Sequence, residues 1–170
     1  MTNNRRRGRE YALKILFALK YEHEQVSPDR ILEQFWNNFH FSDDPLGEPL
    51  ESAVHRVPQA VRLFTETLVR GVLKNRAVLD EQIVAAARNW SLSRMAPVDL
   101  ALLRLATYEL MFLTDIPAAV TLNEAIEIAK CYGTRESPAF INGLLDKIVH
   151  NVAGSDRRAD NQKHDGDVEI

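Results

Sequence analysis

Apolar residues along this chain recur at the three- and four-residue spacing of α-helices, and no segment sustains the period-two alternation of a half-buried strand. The first stripe, Ala12, Leu13, Ile15, Leu16, Phe17 and Leu19, follows Asn3 and Asn4, which suit N-caps, and predicts a helix that fades near Glu24. Ser27-Pro28-Asp29 is a start signal, with Ser27 as cap and Pro28 at the first helical position. Ile31, Leu32, Phe35, Trp36 and Phe39 give this second helix its core face. From His40 to Pro58, three prolines, Gly47 and a run of acids break the pattern, which predicts a long loop with a short turn around Leu50–His55.

Periodicity returns at Gln59. Val61, Leu63, Phe64, Leu68, Val69, Val72 and Leu73 predict one helix, and Val78, Leu79, Ile83, Val84, Ala87 and Trp90 the next, with a break or kink near Asn75. SLSRMAP interrupts, and Pro97 opens VDLALLRLATYELMFL, apolar on nearly all sides and therefore expected at the centre of the core. Asp115-Ile116-Pro117 ends it. Thr121-Leu122-Asn123-Glu124 has the form of a capping box, Thr121 being the cap and Glu124 reaching back to its amide. That helix stops at Tyr132-Gly133, and Ser137-Pro138 starts the last, with Phe140, Ile141, Leu144, Leu145, Ile148 and Val149 apolar. The pattern predicts an all-α fold of about seven helices, without internal repeats. Residues 1–154 are expected as one domain, with an N-terminal helical subdomain over about 5–57 and a C-terminal one over about 58–153; the polar 155–170 stretch is expected as a disordered tail.

Composition adds constraints. A chain of 170 residues with 45% hydrophobic and 26% charged residues is ordinary for a soluble globular protein. The net charge is only −3, so any anion site must come from local clustering, and Arg5 to Arg9 hold four of the 21 lysines and arginines. Acids gather instead at Asp43 to Glu51 and Asp165 to Glu169. The single cysteine, Cys131, excludes an internal disulfide framework and fits a reducing compartment. No stretch approaches the ~18 apolar residues of a membrane span. Lys14, Lys20 and Glu22 interrupt the segment where a signal-peptide core would lie, so the expected location is the cytoplasm.

Catalysis has little to stand on. The five histidines are scattered without ligand spacing, no phosphate-cradling glycine loop is present, and Cys131 and Ser137 lack a nearby base. The reading is of a protein that is not an enzyme and needs no metal or cofactor.

The arginines are a different matter. Arg5, Arg6, Arg7 and Arg9 run straight into the first helix, where cations oppose the dipole by roughly 0.3–1 kcal/mol per site. Guanidinium forks bind phosphates bidentately and stack on bases. In a helix from Asn4, Arg5 and Arg9 fall one above the other with Arg6 beside them, and only Glu10 neutralises that turn. Such a ridge suits a nucleic-acid backbone; the plain alternative is a solvated, frayed terminus. An anionic membrane surface fits less well, since the apolar stripe that follows is needed for the core.

Four segments together carry a resemblance: RRRGREYALKILFALKY, LR-x-A-x-YEL, P-x-x-V-x-x-NEAIE-x-AK and F-[IV]-NG-x-LDK. From Arg5 to Val149 the chain resembles the NusB family of bacterial transcription antitermination factors, departing from it in the Phe39 to Pro58 loop and after Gly154. The resemblance implies two small helical bundles packed together and a function without catalysis. It implies pairing with the ribosomal protein NusE and binding of the boxA element of nascent ribosomal RNA leaders. With NusA and NusG, such a complex makes RNA polymerase resistant to termination. By position it implies that Arg5, Arg6, Arg7 and Arg9 contact RNA and that Phe140 offers an aromatic surface to a base. Asp99 falls in the partner-facing region. Each has a plain rival: Phe140 as core, Asp99 as a stabiliser of its helix N-terminus, and Asn142-Gly143 as a place where two helices approach closely. Two further readings stand beside this one. A NusB-like module of an rRNA cytosine methyltransferase would need strands and a glycine-rich loop that these residues lack. A protein–protein scaffold, or a homodimer hiding its RNA face, is the alternative.

Overall fold

In the computed structural model, residues 2–19, 27–38, 57–88 and 90–164 are described, with side chains for 4–19, 27–37, 57–88 and 90–153. Among these residues there are six α-helices, one 3-10 turn and no strand: α1 (Thr2–Ala18), α2 (Pro28–Asn38), α3 (Gln59–Ala87), the turn Leu92–Arg94, α4 (Pro97–Phe112), α5 (Ala118–Tyr132) and α6 (Ser137–His164). The predicted loop over 40–56, the stretch from Lys20 to Glu24 and Phe39 lie outside the described residues.

Local start signals account for several boundaries. The Ser27 hydroxyl accepts the Asp29 amide at 3.3 Å, and Pro28 opens α2. Pro97 opens α4, nine of whose residues are buried, as its all-round apolar sequence predicts. α1 begins at Thr2, so Asn3 and Asn4 sit inside its first turn instead of capping it.

Two further boundaries differ from the sequence expectation for physical reasons. The break expected near Asn75 is absent, and α3 runs unbroken for 29 residues. Its buried positions Val61, Thr65, Leu68, Val72, Leu79, Ile83 and Ala86 keep helical spacing throughout, and the Asn75 amide is absorbed by donating to the Gly71 carbonyl at 2.8 Å. The capping box at Thr121 also fails. α5 starts a turn earlier at Ala118, with Pro117 as N-cap and its carbonyl accepting from Val120 at 2.9 Å. Thr121 is thus inside the helix and buried, its hydroxyl donating to Glu109 Oε2 of α4 at 3.2 Å.

The chain divides into two compact units, residues 1–70 and 71–170, the boundary falling within α3. In the first, Tyr11 of α1 meets Phe35 and Trp36 of α2 with ring centroids 6.3 and 6.0 Å apart. Leu13, Ile15, Leu32, Val61 and Leu68 are buried there. In the second, α4 packs against both α5 and α6, and Leu102, Leu103, Leu105, Ile128, Ile141, Leu145 and Ile148 form the core. Arg104 of α4 clamps Asp80 of α3 with two hydrogen bonds, 2.7 and 2.9 Å long. α6 continues through 155–164, where the composition suggests a disordered tail, and 165–170 lie outside the described residues.

Candidate nucleic-acid interface

The arginine row of α1 is positioned by a close backbone approach. A Cβ at Gly8 would lie 2.8 Å from Phe64 Cδ1, so α1 sits directly on α3 at that point. Thr65 Oγ1, buried between them, contacts the Gly8 carbonyl at 3.2 Å and the Val61 carbonyl at 2.9 Å. This approach brings the half-buried Phe64 ring beneath the arginines. The guanidinium carbons of Arg5 and Arg9 lie 5.5 and 5.4 Å from its centroid, within cation–π range. The i and i+4 relation read from sequence therefore has a structural counterpart, since both cations share one aromatic platform.

The four arginines are not equivalent. Arg5 is exposed, and Arg6 and Arg7 are half-buried, Arg7 Nη2 donating to the Tyr11 hydroxyl at 3.2 Å. Arg9 is only 2% exposed, so it does not stand on the surface as the sequence expectation for the whole row required. Arg9 follows Gly8, where α1 lies directly on α3, and its guanidinium packs on the Phe64 ring. No acid lies in the first turn of α1, where the helix dipole opposes the charge of Arg5.

In the second unit, Phe140 is half-buried near the start of α6, its ring 6.3 Å from that of Trp90 and tilted by 53°. Trp90, expected as core, is 44% exposed, and Arg94 of the 3-10 turn places its guanidinium 5.0 Å from the Trp90 centroid. Neither Trp90 nor Arg94 was expected at a site. Asp99, in the first turn of α4, is 6% exposed, and its Oδ1 has no hydrogen-bond partner among the described residues. It lies where the helix dipole favours a carboxylate and is withdrawn from the surface. The close helix approach that stood as the plain rival reading of Asn142-Gly143 is not found at Gly143: a Cβ there would meet nothing within 4 Å.

The structure thus brings Arg5 and Arg9 together over Phe64, and Phe140 together with Trp90 and Arg94. Guanidinium groups held against rings are pre-oriented donors for phosphate, and half-exposed rings offer π-faces to bases. No described group of three or more His, Cys, Asp or Glu residues is placed to hold a metal ion, and no described helix is long and apolar enough to cross a membrane.

Known proteins resemble the chain over most of its length. Residues 6–150 match the NusB family. The transcription antitermination protein NusB of Syntrophotalea carbinolica is 51% identical over 144 residues, covering 85% of this chain and 90% of the relative. That of Geobacter sulfurreducens is 46% identical, covering 87% and 95%. Among solved structures, T. maritima NusB superposes with a TM-score of 0.67 at 35% identity, covering 86% of this chain and 90% of that one. A structure of the antitermination factors NusB and NusE in complex with dsRNA contains a chain of the same fold, with a TM-score of 0.67 at 20% identity.

Proposed function

Because the chain belongs to the NusB family of transcription antitermination factors, which are not enzymes, we propose that it binds the boxA element of nascent ribosomal RNA leaders together with the ribosomal protein NusE. In this reading the complex, with NusA and NusG, keeps RNA polymerase processive through ribosomal RNA operons in the cytoplasm. The observation that carries it is the arginine row near the start of α1, two of whose members, Arg5 and Arg9, lie over the Phe64 ring. Arg5, Arg6 and Arg7 face the phosphates. Arg9 acts from beneath, packing against Phe64 and fixing the ring under Arg5. Phe140 adds a stacking surface, worth roughly 1–3 kcal/mol per base. Asp99 contributes by stabilising the start of α4 below the partner surface, since its burial keeps it from a direct contact.

That a NusB of this fold has been solved with NusE and dsRNA supports the pairing. The test is a titration of fluorescent boxA RNA with this protein, alone and with NusE, against an RNA of scrambled sequence. The reading expects NusE to tighten binding to boxA more than to the scrambled strand. Equal binding of both RNAs with no effect of NusE would overturn it.

A further inference from the structure

We propose that Trp90, Arg94 and the bare helix surface at Gly143 join Phe140 in one RNA-contacting surface on the second unit, which takes an unpaired base with its flanking phosphate. The inference rests on the reading of the protein as an RNA-binding factor and adds residues to it.

Three observations point the same way. Trp90 is a large apolar side chain left 44% exposed, and it sits against both Phe140 and Arg94. The 3-10 turn that carries Arg94 has no buried residue, so core packing does not explain where that guanidinium lies. Gly143 is exposed inside a 28-residue helix, where glycine weakens the helix relative to alanine. Nothing in the described protein needs its missing side chain, because a Cβ there would meet no atom within 4 Å. The open surface there leaves room for the backbone of a ligand to lie against the helix.

Geometry joins these observations into one surface. Gly143 lies three residues after Phe140 and so on the same helix face, and Lys147 follows four residues later with its Nζ 3.4 Å from the Ala86 carbonyl. The Trp90 and Phe140 rings are splayed at 53° and not stacked on each other, an arrangement that offers a face to a base. Arg94, already stacked on Trp90, presents N–H donors beside that ring for a phosphate. At Gly143 the sugar–phosphate chain can approach the helix without meeting a side chain. Glu136, exposed just before α6, and Asp146, exposed on α6 after Gly143, disfavour phosphate beside them, which leaves Arg94 as its partner. A ring with a guanidinium on it matches a base with its phosphate, which is why a single-stranded RNA is the occupant and not an apolar protein face.

The experiment measures binding of fluorescent single-stranded boxA RNA by the full chain with NusE, comparing Trp90→Ala, Trp90→Phe, Arg94→Ala and Gly143→Ala with an Arg5→Ala/Arg6→Ala control. Loss of a stacking ring should raise Kd by about 5- to 150-fold, the range that 1–3 kcal/mol implies, and Trp90→Phe should recover most of it. Arg94→Ala should weaken binding with a shallower salt dependence. Gly143→Ala is the sharpest variant, because the proposal requires opposite signs: a higher Tm for the free protein and weaker RNA binding. It also stays interpretable should Trp90→Ala fail to fold. If Trp90→Ala and Gly143→Ala bind as wild type while the arginine control is weakened, this surface is refuted and the RNA-binding function stands. If they lose NusE binding measured without RNA, the surface belongs to a protein partner and the proposal is overturned. If the wild-type complex binds no RNA, the function and this inference fall together.

Discussion

Gly71→Ala puts a methyl group into space already taken by Tyr108. A Cβ at position 71 would lie 1.9 Å from Tyr108 Cζ and 2.3 Å from both Cε2 and the hydroxyl oxygen, about 1.5 Å short of ordinary contact at 3.4 Å. The ring cannot step aside freely, being 9% exposed and stacked on Phe112 with centroids 5.3 Å apart. Overpacking of this kind costs about 1–3 kcal/mol. Alanine in a helix interior returns about 1 kcal/mol relative to glycine. An overlap this deep puts the clash at the upper end of that range, about 3 kcal/mol, so the variant should be less stable by about 2 kcal/mol, with Tm lower by about 4–8 °C. Urea and thermal unfolding followed by far-UV circular dichroism measure both. Tyr108→Leu removes the three clashing atoms, so in that background Gly71→Ala should cost little, with a coupling of about 1 kcal/mol or more across the double-mutant cycle. A Gly71→Ala protein more stable than wild type would refute the reasoning, because helix propensity alone would then be acting.

Other perturbations separate the remaining contributions. Asp80→Ala removes the partner of the part-buried Arg104 fork and should cost about 2 kcal/mol in urea unfolding, whereas a change below about 0.5 would make the pair ornamental. Thr107→Val replaces a buried hydroxyl with no hydrogen-bond partner among the described residues by a methyl and should stabilise the protein by about 1 kcal/mol; a loss of that size would reveal a partner for the hydroxyl. Gly8→Ala presses on Phe64 Cδ1 at 2.8 Å, and the ring can shift, so stability should change by less than about 1 kcal/mol. RNA affinity should fall more, because Arg5 and Arg9 stack on that ring.

Much of the fold was legible because its signals are local. Ser27-Pro28, Pro97 and Ser137 each start a helix within a residue of where chain chemistry places them, and the all-round apolar sequence of α4 reads directly as burial. The misreadings share a cause: a side chain's partner, near or far in the chain, decides its role, and the residue types alone do not name it. Thr121 and Glu124 spell a capping box, yet Thr121 bonds Glu109 in another helix, and nothing local announces that. Asn75 looks like a breaker until its amide is seen returning to Gly71. The arginine row stood out as a cluster of like charges. The burial of Arg9 and the platform under Arg5 depend on Phe64, which reads from sequence only as one more apolar position in a helix stripe. Trp90 likewise continues a core pattern, and its exposure beside Arg94 and Phe140 becomes visible only in three dimensions.

The central claim is that the α1 arginines hold RNA phosphates, and the salt dependence of boxA RNA binding in the presence of NusE tests it most directly. For a single strand, each phosphate contact contributes about 0.7 to the slope of log affinity against log salt. Arg5→Ala/Arg6→Ala should therefore weaken binding and make the slope shallower by about 1.4. A double variant with the affinity and slope of the wild type would contradict the account and leave the arginine row a solvated helix start.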